Sequence, residues 1–458
     1  MHPVSIINGQ CSINMIPICA NSTQPGGAVC IIRVSGDNAI SITNRMFRSA
    51  RNKDLTLVAG YTVHFGEIVD VDGTVVDDAL VIVYCAPRSY TGEETTEIMC
   101  HGSAYIVQRI IEMLIAQGCR LARPGEFTER AFMNGKMDLS QAEAVADLIA
   151  ASNAASHRLA MSQMRGGFSK ELSRLRSQLL EMTSLLELEI DFSEEDVEFA
   201  DRQQLLTLAE DIHHVIGHLI DSFRTGNAIK NGVPVAIIGP TNVGKSTLLN
   251  RLLHEDKAIV SDIHGTTRDT IEDTINIQGI TFRFIDTAGI RQSDDEIEQM
   301  GIERTWKKAQ DAEIVLVVSD NESTTVDETL LEGKTVIKVY NKADIVNYPT
   351  LPSSSDTITI SAKQGTNIDR LEQMLVDATH INKVEDSDII VTNVRHVEAL
   401  QKAYEAITKV EHQISEGTSG DIISLDLHAC IDALAEIVGD VTNEDTLQSI
   451  FSRFCVGK

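Results

Sequence analysis

The sequence predicts a multidomain chain with an α+β N-terminal domain, a discontinuous helical domain, and an α/β domain inserted between the two helical halves. Three observations predict this fold class. Short apolar runs alternate with Gly, Pro and Asn turns in the first part of the chain. Apolar residues then recur at helical spacing on both sides of a strand-rich segment. That segment carries a glycine-rich motif directly after an apolar run, which is typical of Ras-like P-loop domains.

The domain boundaries follow from where these patterns change. The N-terminal strands and helix are predicted at Val29–Val34, Tyr61–Val69, Ala79–Tyr84 and Ser103–Gln117. The helical pattern starts at Leu139, has an acidic interruption at Asp191–Glu198 that predicts a turn between helices, and resumes near Val391. The predicted domains are 1–122 (N-terminal), 123–228 and 381–458 (helical halves) and 229–380 (the inserted domain).

Net charge limits the kinds of partner. The chain of 458 residues carries a formal charge of −28, which disfavours non-specific binding to nucleic acid. An RNA partner must therefore contact a local basic patch. A solvated helix face is the commoner interpretation of the one basic cluster we single out. That cluster consists of Arg165, Lys170, Arg174 and Arg176.

Cysteine spacing and the length of apolar runs predict the cellular compartment of the protein. The eight cysteines form no Cys-x-x-Cys pair, so the sequence predicts neither a zinc site nor a disulfide framework. No apolar run approaches the roughly 18 residues of a membrane helix, and the first residues lack the features of a signal peptide. We therefore expect a cytoplasmic protein with no membrane partner.

A phosphate-binding loop opens the inserted domain. The segment Gly239-Pro240-Thr241-Asn242-Val243-Gly244-Lys245-Ser246 follows the apolar run Val235–Ile238. Its glycines let backbone N–H groups face the phosphates, Lys245 reaches the β- and γ-phosphates, and the Ser246 hydroxyl is suited to bind Mg²⁺. Ser246–Leu253 is predicted to be the helix whose positive end faces the anion. The sequence therefore predicts a nucleotide site.

Motifs at later strand ends select the nucleotide. The predicted strand Phe282–Ile285 ends in Asp286-Thr287-Ala288-Gly289, where a carboxylate can hold Mg²⁺ through water and a glycine N–H can meet the γ-phosphate. The strand Val336–Tyr340 delivers Asn341-Lys342-Ala343-Asp344, whose last carboxylate accepts two hydrogen bonds that guanine offers and adenine does not. Ser361-Ala362-Lys363 adds a backbone contact to the guanine oxygen. The expected nucleotide is GTP.

The residues that would support hydrolysis are unusual. Many GTPases orient water with a glutamine directly after the Asp-x-x-Gly motif, but this chain has Ile290 there. Asn242 offers a side-chain oxygen to a monovalent cation near the phosphates, together with backbone oxygens of Ser261–Thr267. A nearby acidic cluster supplies candidates for orienting water, although it is equally typical of a solvated helix start. Its members are Asp294, Asp295, Glu296 and Glu298.

Five segments, called the signature segments below, are spread along the chain. They are Ile31-Ile32-Arg33-Val34-Ser35-Gly36, Ser89-Tyr90-Thr91-Gly92-Glu93, Arg123–Leu139 continuing into Gln141-Ala142-Glu143-Ala144, Gly265-Thr266-Thr267-Arg268-Asp269, and Cys455-Val456-Gly457-Lys458. In combination they resemble the tRNA modification GTPase family known as MnmE or TrmE. The resemblance covers about Ile16 to Lys458.

The resemblance implies a reaction and partners. The family forms homodimers through N-terminal domains that bind a tetrahydrofolate derivative, at positions matching Arg33, Glu97, Lys136 and Lys458. With an FAD-containing partner, MnmG (GidA), it adds a carboxymethylaminomethyl or aminomethyl group to carbon 5 of the wobble uridine of certain tRNAs. GTP hydrolysis drives conformational change by dimerisation of the GTPase domains. Cys455 is either a nucleophile toward the pyrimidine or a small residue near the folate pocket.

The resemblance also extends the nucleotide and metal sites. K⁺ replaces the arginine finger in this family, and the water-positioning glutamate matches Glu298, the expected catalytic residue. The implied K⁺ positions are Asn242, Ser261, Ile263 and Thr266, and the implied Mg²⁺ positions are Ser246 and Thr267. The expected GTP-binding residues are Asn242, Val243, Gly244, Lys245, Ser246, Thr247, Ser261, Asp262, Ile263, His264, Gly265, Thr266, Thr267, Asp286, Thr287, Ala288, Gly289, Asn341, Lys342, Ala343, Asp344, Ser361, Ala362 and Lys363.

Two other functions are compatible with the motifs. A ribosome-assembly GTPase shares the P-loop asparagine and an apolar residue after Asp-x-x-Gly, but such proteins usually carry a basic RNA-binding appendage that this C-terminal segment does not resemble. A nucleotide-gated scaffold would use GTP only to open and close a dimer. Folate binding separates the hypotheses, because a pure scaffold is not expected to bind tetrahydrofolate.

Overall fold

The computed structural model describes residues 16–23, 26–191, 202–255, 273–285, 310–321, 331, 333–346, 356–379, 389–452 and 454–457. The chain divides into two compact units, each of which is described by itself. The first consists of Met1–Ala146, Gln163–Leu180 and His428–Lys458. The second consists of Asp147–Ser162 and Glu181–Leu427.

A mixed sheet forms the N-terminal domain of the first unit. Its described strands are β1 (Ile18–Asn21), β2 (Val29–Ser35), β3 (Phe47–Ser49), β4 (Thr62–Val69), β5 (Val75–Tyr84), β6 (Thr95–His101) and β7 (Arg120–Leu121). They lie in the order β3-β4-β5-β6-β2-β1-β7, and only β1 and β7 run parallel as neighbours among them. Ile32, Val34 and Ile98 lie on the buried face of the central strands and belong to one apolar core.

Two helices cover the buried face of this sheet. Helix α1 (Ala39–Met46) and helix α2 (Ala104–Ala116) place their apolar side chains in the same core. The sequence predicts α2 but misses α1, because Ile42 and Thr43 are β-branched and favour strands. In the structure both are buried, and the Thr43 hydroxyl donates to the Ala39 carbonyl oxygen at 2.9 Å, so packing overrides local preference.

Helices follow where the period of the sequence changes. They are α3 (Glu126–Met133), α4 (Leu139–Ala150), α5 (Ala154–Met164), α6 (Gly167–Asp191) and α7 (Arg202–Asn231). The start of α4 is set by Asp138, whose Oδ1 accepts hydrogen bonds from the Gln141 N–H at 2.9 Å and the Ser140 hydroxyl at 2.7 Å. The turn predicted at Asp191–Glu198 lies outside the described residues after Asp191.

The second unit contains the predicted α/β domain. Its described elements are β8 (Val233–Ile238), α8 (Lys245–Glu255), β9 (Asp273–Ile277), β10 (Ile280–Phe284), β11 (Ile314–Ser319), β12 (Thr335–Tyr340), β13 (Thr357–Thr359) and α9 (Ile368–Ala378). The sheet order is β13-β12-β11-β8-β10-β9, with β9 antiparallel to β10 and the other neighbours parallel. Val235 and Ile237 enter one apolar cluster while Ala236 and Ile238 enter another, so both faces of β8 are buried.

Three more helices complete the described fold. They are α10 (Val394–Ser415), α11 (Gly420–Val438) and α12 (Glu444–Phe451). Asn393 caps α10 by accepting from the Arg395 N–H at 3.1 Å. The segment before α10 passes close to α7, where a Cβ on Gly226 would lie 2.0 Å from the Val391 carbonyl oxygen. The predicted fold class is confirmed. In the part of the chain that the structure describes, no helix combines the length and apolarity needed to cross a membrane.

Candidate functional site

The predicted phosphate-binding loop joins β8 to α8. Gly239 has a φ of 147°, and a Cβ there would lie 2.0 Å from the carbonyl oxygen of Val318 on β11. Gly244 has a φ of 95°, and a Cβ there would lie 2.3 Å from Nδ2 of Asn341. Both positions therefore require glycine. The loop lies against the carboxyl ends of β11 and β12, where open α/β sheets bind ligands.

The polar groups of this loop suit a polyphosphate. Lys245 Nζ donates to the carbonyl oxygens of Gly239 at 2.8 Å and Pro240 at 2.6 Å, which places its ammonium group over the loop. The helical hydrogen bonds include one from Leu248 N–H to Gly244 O at 2.9 Å. The N–H groups of the first turn have no acceptor within the helix, so an anion can bind there. Asn242 adopts a φ of 62°, which asparagine tolerates better than most residues.

Asn341 links the phosphate loop to the predicted guanine loop. Its Nδ2 donates to the Val243 carbonyl oxygen at 2.8 Å, and its Oδ1 accepts from the Ala362 N–H at 2.9 Å. The side chain is buried, with 3% of the residue exposed. Because both ends of the amide are held, the three segments that carry these residues are fixed relative to one another.

Asp344 lies at the position expected for the guanine-binding carboxylate. Its Oδ1 accepts a hydrogen bond from the buried Ser361 hydroxyl at 2.6 Å. This hydrogen bond is the main cause that lowers the pKa of Asp344, so the carboxylate is ionised at neutral pH. The neighbouring Lys342 Nζ lies 2.8 Å from Asp320 Oδ2, at the end of β11. An anchored, ionised acceptor suits the two N–H donors of guanine.

The structure therefore brings together three of the predicted nucleotide-binding segments, which are 242–247, 341–344 and 361–363. The chain remains beside β8 just after β10, where Ile285 N–H donates to the Val235 carbonyl oxygen at 3.0 Å. The predicted Asp-x-x-Gly motif follows directly in the sequence. The other predicted nucleotide and metal residues, together with Glu298, the predicted catalytic residue, lie outside the described residues. They are Ser261, Asp262, Ile263, His264, Gly265, Thr266, Thr267, Asp286, Thr287, Ala288 and Gly289.

A second polar site lies on the N-terminal sheet. Arg33 on β2 and Glu97 on β6 are directly opposite, with Arg33 Nε and Nη2 at 2.9 and 2.8 Å from Glu97 Oε1. Tyr84 OH donates to Glu97 Oε2 at 3.2 Å. The guanidinium carbon of Arg33 lies 5.5 Å from the ring centroids of both Tyr90 and Phe127. The pair is thus largely shielded, with side chains 15% and 16% exposed, and has aromatic neighbours.

The C-terminal Cys-x-Gly-Lys segment reaches the same pair. The Gly457 carbonyl oxygen accepts from Arg33 Nη1 at 3.4 Å and from the Ser22 hydroxyl at 3.3 Å. A Cβ at Gly457 would lie 2.3 Å from a backbone oxygen of β1, so glycine is needed for this approach. Cys455 is exposed. Lys458 lies outside the described residues but directly follows Gly457.

Lys136 contacts the loop that carries Tyr90, one of the two aromatic neighbours of Arg33. Its Nζ donates to the Pro87 carbonyl oxygen at 3.0 Å. A Cβ on Gly92 would lie 3.3 Å from Lys136 Cδ. Tyr90 belongs to the same loop, and its hydroxyl lies 2.9 Å from Thr128 Oγ1 on α3. Arg33, Glu97 and Gly457 are therefore in direct contact, whereas Lys136 is joined to them through this loop.

A buried ionic network connects three of the signature segments. Glu126 and Arg130, both on α3 with side chains 3% exposed, lie 3.2 Å apart. Arg120 donates to both carboxylate oxygens of Glu126, and Arg130 Nη1 lies 3.2 Å from Glu93 Oε1. The Ser35 hydroxyl donates to Glu93 Oε2 at 2.8 Å. Burial opposes the charge of Glu126, but hydrogen bonds led by those of Arg120 lower its pKa to about 2.

Two of the four residues on the basic helix face singled out in the sequence form ion pairs. Arg174 Nη2 lies 2.6 Å from Glu171 Oε1, and Arg176 Nη1 lies 2.5 Å from Asp440 Oδ2. Arg165 and Lys170 are exposed. The structure therefore favours the interpretation of this face as a solvated and internally paired surface.

The sheet order, the glycine-dependent loop and the Asn341–Asp344 arrangement define a P-loop domain of the guanine-nucleotide-binding class. Two family models match the chain: "GTP-binding protein TrmE N-terminus" matches residues 17–136, and "MnmE helical domain" matches residues 139–455. The chain belongs to the MnmE (TrmE) family, as its sequence predicts.

Curated relatives match over nearly the full length. The tRNA modification GTPase MnmE of Bacteroides thetaiotaomicron is 57% identical, over 97% of this chain and 100% of the relative. The protein of the same name from Flavobacterium johnsoniae is 49% identical, with the same coverage of both chains. The similarity therefore includes all the domains that the sequence predicts.

Sequence reasoning missed several residues that shape these sites. Tyr84 holds Glu97 and Phe127 packs on Arg33, although neither stands out by spacing. Asp320 holds Lys342, and its only signal is its place at the end of a buried strand. Glu126 belongs to a signature segment, but its burial and its pairing with Arg130 could not be inferred from the pattern.

Proposed function

We propose that this protein is a K⁺-dependent GTPase that acts in modifying the wobble uridine of certain tRNAs. The observation that carries the proposal is the guanine-selective arrangement, in which Ser361 holds the ionised Asp344 and Asn341 fixes its loop to the phosphate loop. The printed name of the relatives, tRNA modification GTPase, supports the choice of substrate.

Each residue of the nucleotide site has a separate role in this proposal. Lys245 and the N–H groups at the start of α8 hold the phosphates, and Asp344 selects guanine. Ser246 and Thr267 would bind Mg²⁺, and Asn242 with Ser261, Ile263 and Thr266 would bind K⁺. These two cations would neutralise charge on the phosphates. Glu298 would orient the attacking water, because Ile290 cannot.

The N-terminal site is proposed to bind a tetrahydrofolate derivative. Arg33 and Lys136 would meet carboxylates of the ligand, together with Lys458, while Glu97 would accept hydrogen bonds from the heterocycle. The shielded Arg33–Glu97 pair and its aromatic neighbours fit a flat, polar ring with an acidic tail.

The remaining features of the proposal concern assembly. The chain would form a homodimer through the N-terminal domains 1–122 and would act with an FAD-containing partner, MnmG (GidA). Helical segments 123–228 and 381–458 would transmit movement of the GTPase domain 229–380 when two such domains meet. The group added at carbon 5 of uridine would be carboxymethylaminomethyl or aminomethyl. This activity on tRNA would take place in the cytoplasm.

The proposal predicts that GTP turnover depends on K⁺. Turnover by the purified protein should be at least about tenfold faster in K⁺ than in Na⁺, because a fixed charge at the phosphates stabilises the transition state. Asn242→Gly should remove this preference, because it keeps the positive φ of the loop and removes the side-chain oxygen. Its affinity for GDP should stay within about threefold of the unmodified protein. Turnover is measured by phosphate release.

Folate binding on the same sample separates the alternatives. Binding of 5-formyltetrahydrofolate, measured by calorimetry and lost in Arg33→Ala, would support the tRNA-modification function. K⁺-dependent turnover without folate binding would favour a ribosome-assembly GTPase or a nucleotide-gated scaffold. Equal turnover in K⁺ and Na⁺ would exclude the proposed role of the cation.

A further inference from the structure

We infer that residues 45–53 form a surface that contacts the phosphate backbone of RNA, an inference that rests on the proposed function in tRNA modification. The segment reads Arg45-Met46-Phe47-Arg48-Ser49-Ala50-Arg51-Asn52-Lys53 and is called the β3 basic segment. It contains three arginines and one lysine and no acidic residue, in a chain whose formal charge is −28. Since the overall charge repels RNA, contact must occur where the local charge is positive.

The four basic side chains are exposed. Arg45, Arg48, Arg51 and Lys53 are all exposed, whereas Met46, Phe47 and Ser49 between them are buried. Met46 and Phe47 belong to the apolar core of the domain, so the backbone that carries the basic side chains is held in place. A backbone that is already held in place loses less conformational entropy on binding than a flexible one.

Local structure fixes where the charges lie. Strand β3 is the edge of the described sheet and is hydrogen-bonded there only to β4, which leaves its outer side accessible. After β3 the chain makes a tight turn, with Asn52 N–H donating to Ser49 O at 3.0 Å and Ala50 N–H donating to Phe65 O at 3.0 Å. Arg51 and Lys53 extend from this turn. Arg48 on β3 and the turn residues Arg51 and Lys53 therefore lie at this edge of the sheet, and Arg45 precedes them near the end of α1.

Three of the four basic side chains form no ion pair with the residues that the structure describes. Arg48 Nε lies 3.1 Å from Glu67 Oε2, so this one arginine is paired. Arg45 donates to the neutral Gln117 side chain at 3.3 Å. Arg51 and Lys53 form no ion pair with the residues that the structure describes. The charge of Lys53 acts toward β4, where it contributes, after burial, to lowering the pKa of His64.

The contrast with the helix face at residues 165–176 supports this choice of surface. There Arg174 and Arg176 each have an acidic partner within 2.6 Å. In the β3 basic segment only Arg48 has an acidic partner among the described residues, at 3.1 Å. Arginine also presents a planar fork of donors that matches phosphate oxygens. RNA phosphate is therefore the partner that this edge fits.

The test compares two triple variants of the full chain with equal charge change. One carries Arg45→Gln, Arg51→Gln and Lys53→Gln, and the control carries Arg165→Gln, Lys170→Gln and Arg174→Gln. Binding of fluorescent bulk tRNA is followed by anisotropy over a series of salt concentrations. GTP turnover and circular dichroism of both variants should match those of the unmodified protein, because none of these residues belongs to the nucleotide site.

We expect a large loss of tRNA binding only in the variant of the β3 basic segment. Loss of three phosphate contacts should weaken tRNA binding about 100-fold or more near 0.1 M salt and reduce the log–log salt slope by about 2. The control should lose less than about fivefold. Equal losses in both variants would show that only net charge matters and would overturn the inference, as would unchanged binding by the first variant.

The proposed function is tested separately in cells. If the unmodified chain restores wobble-uridine modification but the first triple variant binds tRNA as tightly as that chain, only the inference about the β3 basic segment fails. If the unmodified chain restores no modification, the proposed function fails, and the inference that depends on it fails with it.

Discussion

Asp344→Asn should weaken binding of guanine nucleotides by at least about 100-fold and shift preference to xanthine nucleotides. The ionised carboxylate accepts two hydrogen bonds from guanine, and a site built for such donors rejects a mismatched ligand strongly. An amide presents one N–H₂ group where guanine also presents donors, so one contact becomes repulsive. Xanthine carries a carbonyl in place of the guanine amino group, so the same amide can donate to it.

The measurement is calorimetric titration with GDP and xanthosine diphosphate. Asp369→Asn is the matched control, because Asp369 is an exposed aspartate in the first turn of α9 of the same domain. It should bind GDP within about twofold of the unmodified protein. If Asp344→Asn kept its GDP affinity and gained none for xanthosine diphosphate, Asp344 would not be the guanine-binding residue.

Glu126→Gln should destabilise the N-terminal domain by about 3–5 kcal/mol. Breaking a buried ion pair from one side leaves the partner charges uncompensated, and here Arg120 and the buried Arg130 both face Glu126. Glutamine has nearly the same shape, so the loss comes from charge and hydrogen bonding. Because the chain has several domains, the effect must be read locally. Peptide-resolved hydrogen exchange in increasing urea measures it for β1 and α3.

The pH dependence gives a second check on the same variant. The pKa of Glu126 is lowered to about 2 from an ordinary value of 4.5, so its stabilising effect is complete above pH 4.5. That effect should be lost as pH falls from 4.5 toward 2, where the unmodified protein and the variant should converge.

Glu129→Gln is the matched control for Glu126→Gln. Glu129 lies on the same helix and pairs with the exposed Arg123 at 3.0 Å, but its side chain is 24% exposed against 3% for Glu126. We expect it to cost less than about 1 kcal/mol. Equal destabilisation by the two variants would show that the buried network is not the source of stability.

Patterns within short segments predicted much of the nucleotide domain. Strand β8, its glycine-rich loop and helix α8 are contiguous, and glycine at residues 239 and 244 is required by local backbone geometry. Both faces of the sheet are buried, so its strands appear as apolar runs in the sequence. Such signals survive in a single sequence because each involves neighbours along the chain.

Contacts between distant residues could not be predicted in this way. Arg33 and Gly457 are 424 positions apart, yet the carbonyl oxygen of Gly457 accepts from Arg33. Arg130 and Glu93 are 37 positions apart and come from different signature segments. Their pairing depends on how the loop before β6 lies against α3, which spacing does not encode. Family resemblance identified these segments as important, whereas the structure shows which atoms meet.

Helix α1 illustrates a different limit. Its β-branched residues favour a strand, yet burying Ile42 and Met46 in the domain core stabilises the helix. Tertiary packing outweighs local preference here because the short amphipathic helix buries its apolar face in the domain core.

The most direct test of the proposed function is the nucleoside profile of tRNA from cells that lack this gene. Mass spectrometry of digested total tRNA should show loss of the group at carbon 5 of the wobble uridine. The unmodified chain should restore this group in the deletion strain, and the Asp344→Asn variant should not. An unchanged profile in the deletion strain would contradict a role for this protein in tRNA modification.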